Sequence, residues 1–128
     1  MKSKINPLRI LVIEDDPDIL NALNIVLGAE GFDVDVLFKG QCILQNQFVK
    51  PDLIILDYHL PDTDGLEICH HLKSEPNYLD IPIIVTSATP KLKNRVLEAG
   101  ASAFVEKPFD VKELVNLVNS TLHGHASF

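Results

Sequence analysis

No apolar run in this sequence approaches the roughly 20 residues that a membrane span requires, and Met1 to Pro7 contain no apolar stretch of the secretory kind. A soluble, cytoplasmic chain with no membrane partner is expected. Cysteine is scarce as well. Cys42 and Cys69 are the only two; they form neither a disulfide framework nor a metal-ligand spacing, so both should be buried free thiols. Basic residues are few: 11 Lys and Arg against 18 Asp and Glu give a formal charge of −7. Neutralising nucleic-acid phosphates takes clustered positive charge, whereas these residues are dispersed, so this domain is not expected to bind nucleic acid itself. Internal repeats, low-complexity tracts and linkers are absent too.

What the sequence does have is apolar side chain. At 128 residues and 46% hydrophobic content, it can build one core but not two. A single domain is expected, its core over about 8–122, with a flexible tail at 123–128 where the core period stops.

Leu8 to Ile13 is a nearly continuous apolar run ending in acids, the pattern of a strand buried on both sheet faces. Asp16 can then cap a helix with Pro17 at its first position, and Ile19, Leu23, Val26 and Leu27 repeat at helical spacing up to Gly31. Phe32 to Val36 alternates apolar with acidic residues, which places that strand at a sheet edge; a weaker helix is expected over Gln41 to Phe48. Leu53 to Leu56 is a fully apolar strand stopping at Asp57, followed by turn residues Pro61 and Asp64-Gly65 and a helix near Leu66 to Lys73. Ile81 to Val85 predicts a further strand, then a polar stretch at Thr86 to Thr89 and a helix over Pro90 to Ala99 ended by Gly100. Ala101 to Val105 is the last strand. Asp110 and Glu113 can form a capping box for a helix that faces the core with Val111, Leu114, Val115, Val118 and Leu122. Strand and helix alternate five times, so the fold expected is a doubly wound α/β domain with a parallel sheet and helices on both faces.

In such sheets, ligands bind beyond the carboxyl ends of the strands. There stand Glu14, Asp15 and Asp16, then Asp57, then Ser87, then Lys107 followed by Pro108. Carboxylates gathered without a cation repel one another and raise each other's pKa; a hard divalent ion relieves this, and Mg²⁺ is the economical occupant. Taken singly, the residues have bland readings. Asp16 is a helix cap and stays outside the metal set, Lys107 alone is a solvated lysine, and Ser87 alone is a small loop residue. Their joint placement is what carries weight. His59, His70 and His71 do not make a zinc site, because His70 and His71 are neighbours on a helix and point apart.

The segments ILVIEDD, LIILDYHLPDTDG, PIIVTSA and FVEKPF, in this order and spacing, resemble the receiver domains of bacterial two-component response regulators. The resemblance runs from Leu8 to about Leu122. It implies a flavodoxin-like, CheY-like five-stranded sheet in the order 2-1-3-4-5. Asp57 then matches the phosphoacceptor, Lys107 the phosphate-binding lysine and Ser87 the switch hydroxyl. Mg²⁺ would be held by Asp15, Asp57 and the backbone carbonyl of His59, with Glu14 acting through water. Phe104 matches the switch aromatic, without a hydroxyl, and Lys107-Pro108 should be a cis bond. His59 and Thr89 match variable positions that influence access of hydrolytic water.

The implied role is phosphorelay signalling rather than conventional enzymology: self-catalysed phosphorylation and slow autodephosphorylation. The implied donor is a sensor histidine kinase or a histidine phosphotransfer protein. Phosphorylation should draw Ser87 toward the phosphoryl oxygens and Phe104 inward, remodelling the surface of the fourth helix, fifth strand and fifth helix. Leu92, Lys93, Val96, Lys112 and Asn116 are the candidate contacts there, for a partner or a self-dimer.

Three competing readings differ at particular residues. An aspartate-nucleophile phosphatase would carry a second Asp where His59 stands. A flavin-binding flavodoxin-like module would follow its first strand with a Ser/Thr-rich phosphate loop, not Glu14-Asp15-Asp16, which repels phosphate. A degenerate receiver serving only as a scaffold would not need a complete pocket.

Overall fold

In the computed structural model, which describes residues 7–123, the apolar runs become five parallel strands in the order β2-β1-β3-β4-β5. The strands are β1 (Arg9–Ile13), β2 (Asp33–Leu37), β3 (Leu53–Asp57), β4 (Ile83–Ser87) and β5 (Ala103–Glu106). The three most apolar ones, β1, β3 and β4, lie in the middle, where both faces are fully covered. The acid-bearing β2 takes one edge. There Arg9 bonds Asp35 at 2.8 Å, a half-exposed pair that contributes little to stability.

Helices cover both faces. Over one face, α1 (Pro17–Ala29) and α5 (Val111–His123) bury Leu20, Leu23, Leu27, Leu114, Val115 and Val118 against Ile10, Val12, Ile55 and Ile84. Over the other, α2 (Gln41–Leu44), α3 (Gly65–Ser74) and α4 (Lys93–Glu98) pack Ile43, Ile68, Leu72 and Val96 onto Leu11, Ile13, Ile54, Leu56, Ile83 and Val85. Successive strand residues serve opposite cores, as the pleat requires. Cys69 lies fully inside the second core and Cys42 is half-buried; both are free thiols, and burial pushes Cys69 up to about 11.

Caps fix the helix starts. The Asp16 side chain accepts from the N–H groups of Asp18 and Ile19 at 2.9 and 3.4 Å, and Pro17 fills the first helical position. Asp64 caps α3 through the Glu67 N–H at 2.8 Å, and Asp110 caps α5 through those of Lys112 and Glu113 at 2.8 and 3.3 Å.

Several boundaries differ from the sequence reading, for local reasons. The helix expected to reach Phe48 stops at Leu44, since Asn46 adopts a left-handed φ of 58° and can continue no helix. Phe48 instead packs against Tyr78, ring centroids 4.8 Å apart. β2 starts one residue late because the Phe32 N–H turns back to the Leu27 carbonyl. β5 starts two late because the Ala101 N–H closes onto Val96. β4 runs from Ile83 to Ser87, not Ile81 to Val85: polar Thr86 and Ser87 remain in the ladder opposite Asp57 and Glu106. The helix expected from Pro90 begins as a 3₁₀ turn, Pro90–Leu92, before α4.

His123, expected in the tail, ends α5, and residues 124–128 lie outside the described residues. Among the described residues, no helix is long and apolar enough to cross a membrane.

Candidate functional site

Strand alternation decides which side chains meet. Val12, Ile55, Ile84 and Val105 all face the α1/α5 core, so two residues further on Glu14, Asp57, Thr86 and Lys107 project to that same side at the carboxyl rim. Ile13, Leu56, Val85 and Phe104 face the opposite core. Ser87, two beyond Val85, therefore lies on the Phe104 side, and Val85 pairs directly with Phe104 in the ladder.

The first set forms a tight charged cluster. Lys107 Nζ is 3.0 Å from Glu14 Oε1 and 3.3 Å from Asp57 Oδ1. Asp57 is 4% exposed and Glu14 3%, whereas Asp15 is open to solvent. Carboxylate oxygens of Glu14, Asp15 and Asp57 lie within 4.8 Å of one another. The Asp16 N–H donates to Glu14 Oε2 at 3.1 Å, so the first turn of α1 holds Glu14 while the Asp16 side chain serves as cap.

Burial raises both Asp57 and Glu14 above the ordinary carboxylate range. The Lys107 ammonium at both acids and the Asp16 N–H at Glu14 oppose the rise without cancelling it, while like-charge repulsion from Asp57 adds to it at Glu14. For Lys107, burial alone would lower the pKa, but the two carboxylates together outweigh it and hold the ammonium above its usual value. One ammonium thus faces two buried acids and a third at the mouth. An all-oxygen donor set short of positive charge fits a hard divalent cation.

Ser87 is 1% exposed, and its Oγ accepts from the Thr89 N–H at 3.0 Å, leaving the hydroxyl proton to be given elsewhere. The Lys107 N–H donates to the Ser87 carbonyl at 2.9 Å, and the Lys107-Pro108 peptide is cis. Phe104 is half-buried. His59 is exposed, its ring edge-on to Tyr58 at 4.9 Å, and it forms a bridge with Asp64 across the loop after β3. Asp62 pins that loop by accepting the Gly40 N–H at 3.0 Å.

Two sequence expectations need correction. Leu92 and Val96, named as surface contacts on the fourth helix, are 8% and 0% exposed and belong to the core under α4; Lys93, Lys112 and Asn116 are exposed. Thr86 is a buried rim residue that sequence patterning hides. Its signal is the two-residue step from Ile84, masked because Thr86 opens a polar stretch that reads as a loop.

The response regulator receiver domain model matches residues 10–119 of the chain. The chain belongs to that family. The receiver domain is 39% identical over 117 residues to the DNA-binding response regulator MtrA of Mycolicibacterium smegmatis, covering 89% of this chain and 50% of the relative. It spans about half the length of the curated relatives it matches. The receiver domain of a signal transduction histidine kinase from Syntrophus aciditrophicus superposes with a TM-score of 0.82 at 31% identity, covering 94% of each chain. The receiver domain of sensor histidine kinase PA1611 from Pseudomonas aeruginosa, whose crystal structure has a magnesium ion coordinated in the active-site cleft, gives 0.82 at 25% identity, over 92% of this chain and 99% of that one.

Proposed function

We propose that this receiver domain accepts a phosphoryl group on Asp57. The observation that carries the reading is the buried Asp57 carboxylate, at the end of a central strand, 3.3 Å from the Lys107 ammonium and within reach of two more acids. Phosphoryl transfer through a loose transition state needs in-line placement and positive charge more than a strong base. One Asp57 oxygen bonds to phosphorus as the phosphorus–nitrogen bond of a donor phosphohistidine breaks; the imidazole leaves with the electron pair and takes a proton from water. Hydrolysis later places a water oxygen on phosphorus, returns the Asp57 carboxylate and releases inorganic phosphate. Both steps are self-catalysed, the second slowly.

Asp15, Asp57 and the His59 carbonyl would hold Mg²⁺, with Glu14 acting through water. The ion supplies charge that neutralises the phosphoryl oxygens. The chain's own residues do the rest. Lys107 shifts its ammonium from the two carboxylates toward the phosphoryl group, and Ser87 gives its free hydroxyl proton to a phosphoryl oxygen. A phosphoryl group brings about −1.5 to −2 charge and three strong acceptors, which is what draws both residues in. Phe104, on the Ser87 side of the sheet, turns inward as Ser87 moves.

The donor is a sensor histidine kinase or a histidine phosphotransfer protein in the cytoplasm. The face of α4, β5 and α5, with Lys93, Lys112 and Asn116 exposed on it, is read by a partner or a second copy that prefers the phosphorylated form. Any DNA contact by a longer protein containing this domain would come from outside it.

The test is incubation with acetyl phosphate and Mg²⁺, followed by mapping of the modified residue by mass spectrometry. Uptake on Asp57 is expected, with none in Asp57→Ala. Equal, stable modification of Asp57→Ala would sink the reading.

A further inference from the structure

Among the described residues, one buried side-chain polar atom has no hydrogen-bond partner: the hydroxyl of Thr86. Thr86 is 1% exposed. In the ladder between β3 and β4 it stands directly opposite Asp57, and the Tyr58 N–H donates to its carbonyl at 2.9 Å. The two-residue steps from Ile55 to Asp57 and from Ile84 to Thr86 put both side chains on the α1/α5 face. Val105 pairs with Thr86 on its other side, two residues before Lys107. The hydroxyl therefore lies between the phosphoacceptor strand and the strand that delivers the lysine.

A buried hydroxyl without a partner is costly, and valine fills the same space with no polar atom to satisfy. Its neighbours on the sheet are Val105, which can accept nothing through its side chain, and Asp57, which can. Adjacent strands run about 4.8 Å apart, so rotation about χ1 is enough to bring a threonine hydroxyl to an acceptor on the next strand. In the described state Asp57 Oδ1 takes the Lys107 ammonium at 3.3 Å, and the Thr86 hydroxyl bonds to neither carboxylate oxygen.

We infer that Thr86 is a positioning residue for Asp57: its hydroxyl donates to the Asp57 carboxyl group when Lys107 leaves that group for the phosphoryl oxygens. The inference rests on the reading of Asp57 as phosphoacceptor and adds to it a donor distinct from Ser87, on the opposite face of the same strand. Thr86 so placed keeps the carboxyl group from rotating once its ammonium partner has gone.

The experiment compares wild type, Thr86→Val and Thr86→Ser, each taken through acetyl phosphate uptake, Mg²⁺ titration and urea unfolding. Thr86→Val should take up phosphate about fivefold more slowly, the effect of one lost ordinary hydrogen bond. Its Mg²⁺ affinity should be unchanged and its urea midpoint equal or higher, since the unpaired hydroxyl is gone. Thr86→Ser should restore most of the rate. The Thr86 methyl couplings should report a χ1 change when beryllofluoride, a phosphoryl mimic, binds wild type. If wild type is modified at Asp57 while Thr86→Val reacts at the same rate, or if χ1 stays fixed with the mimic bound, the role of Thr86 is wrong and the phosphoacceptor reading stands. Wild type that takes no phosphate on Asp57 overturns both.

Discussion

At the scale of single residues, the site keeps more negative charge out of water than one lysine can balance. Asp57 and Glu14 are both raised, chiefly by burial, so the folded chain holds protons that the unfolded chain has already released. Stability in metal-free buffer should therefore fall as pH rises from the ordinary carboxylate range, about pH 4, toward neutrality. Asp57→Asn removes one of the two contributors. In EDTA it should show a higher urea midpoint than wild type at neutral pH and a shallower decline across that window. Identical pH slopes for the two proteins would mean that Asp57 enters the fold unperturbed.

At the scale of elements, the turn between α4 and β5 depends on one position. Gly100 has φ +108°, and a β-carbon there would lie 2.7 Å from Lys73 Cγ. The Lys73 stem cannot easily yield, because its ammonium donates to the carbonyls of Leu79 and Ile81, both at 2.9 Å. Those bonds tie the end of α3 to the segment entering β4. Gly100→Ala meets a disfavoured backbone conformation and a crowded neighbour together, and should cost more than about 1 kcal/mol in urea unfolding. Hydrogen exchange should localise the loosening to the segment from Leu79 to Ile81. A loss confined to the β5 edge would show that Lys73 does not couple the two.

At the scale of the whole molecule, a cation that binds only the folded state raises stability by mass action. Millimolar Mg²⁺ should raise the melting temperature of wild type measurably and that of Asp57→Asn much less, since the variant lacks one carboxylate. An equal rise in both would place the ion elsewhere. The two cores meet at the carboxyl end of β4. The Glu14, Asp57 and Lys107 cluster stands on the α1/α5 face, while Ser87 and Phe104 stand on the other. Adjacent residues of β4, Thr86 and Ser87, thus serve different layers.

The sequence by itself determined the central strands and one edge of the sheet, because β1, β3 and β4 are apolar on both faces and β2 is not. It also determined the caps at Asp16 and Asp110, where local hydrogen bonds suffice, whereas Asp64 reads as a turn residue and proves to be the cap of α3. Glu14, Asp15, Asp57, Ser87 and Lys107 were legible as strand-end residues. Tertiary structure alone decided the rest. It kept Thr86 and Ser87 in a strand, since ladder partners on β3 and β5 override polar side chains. It buried Leu92 and Val96, which a helical period marks as apolar without saying what covers them. It also assigned Ser87 to one face and Thr86 to the other, because register fixes which side of a sheet a residue serves, and register is set by pairing between strands distant in the chain.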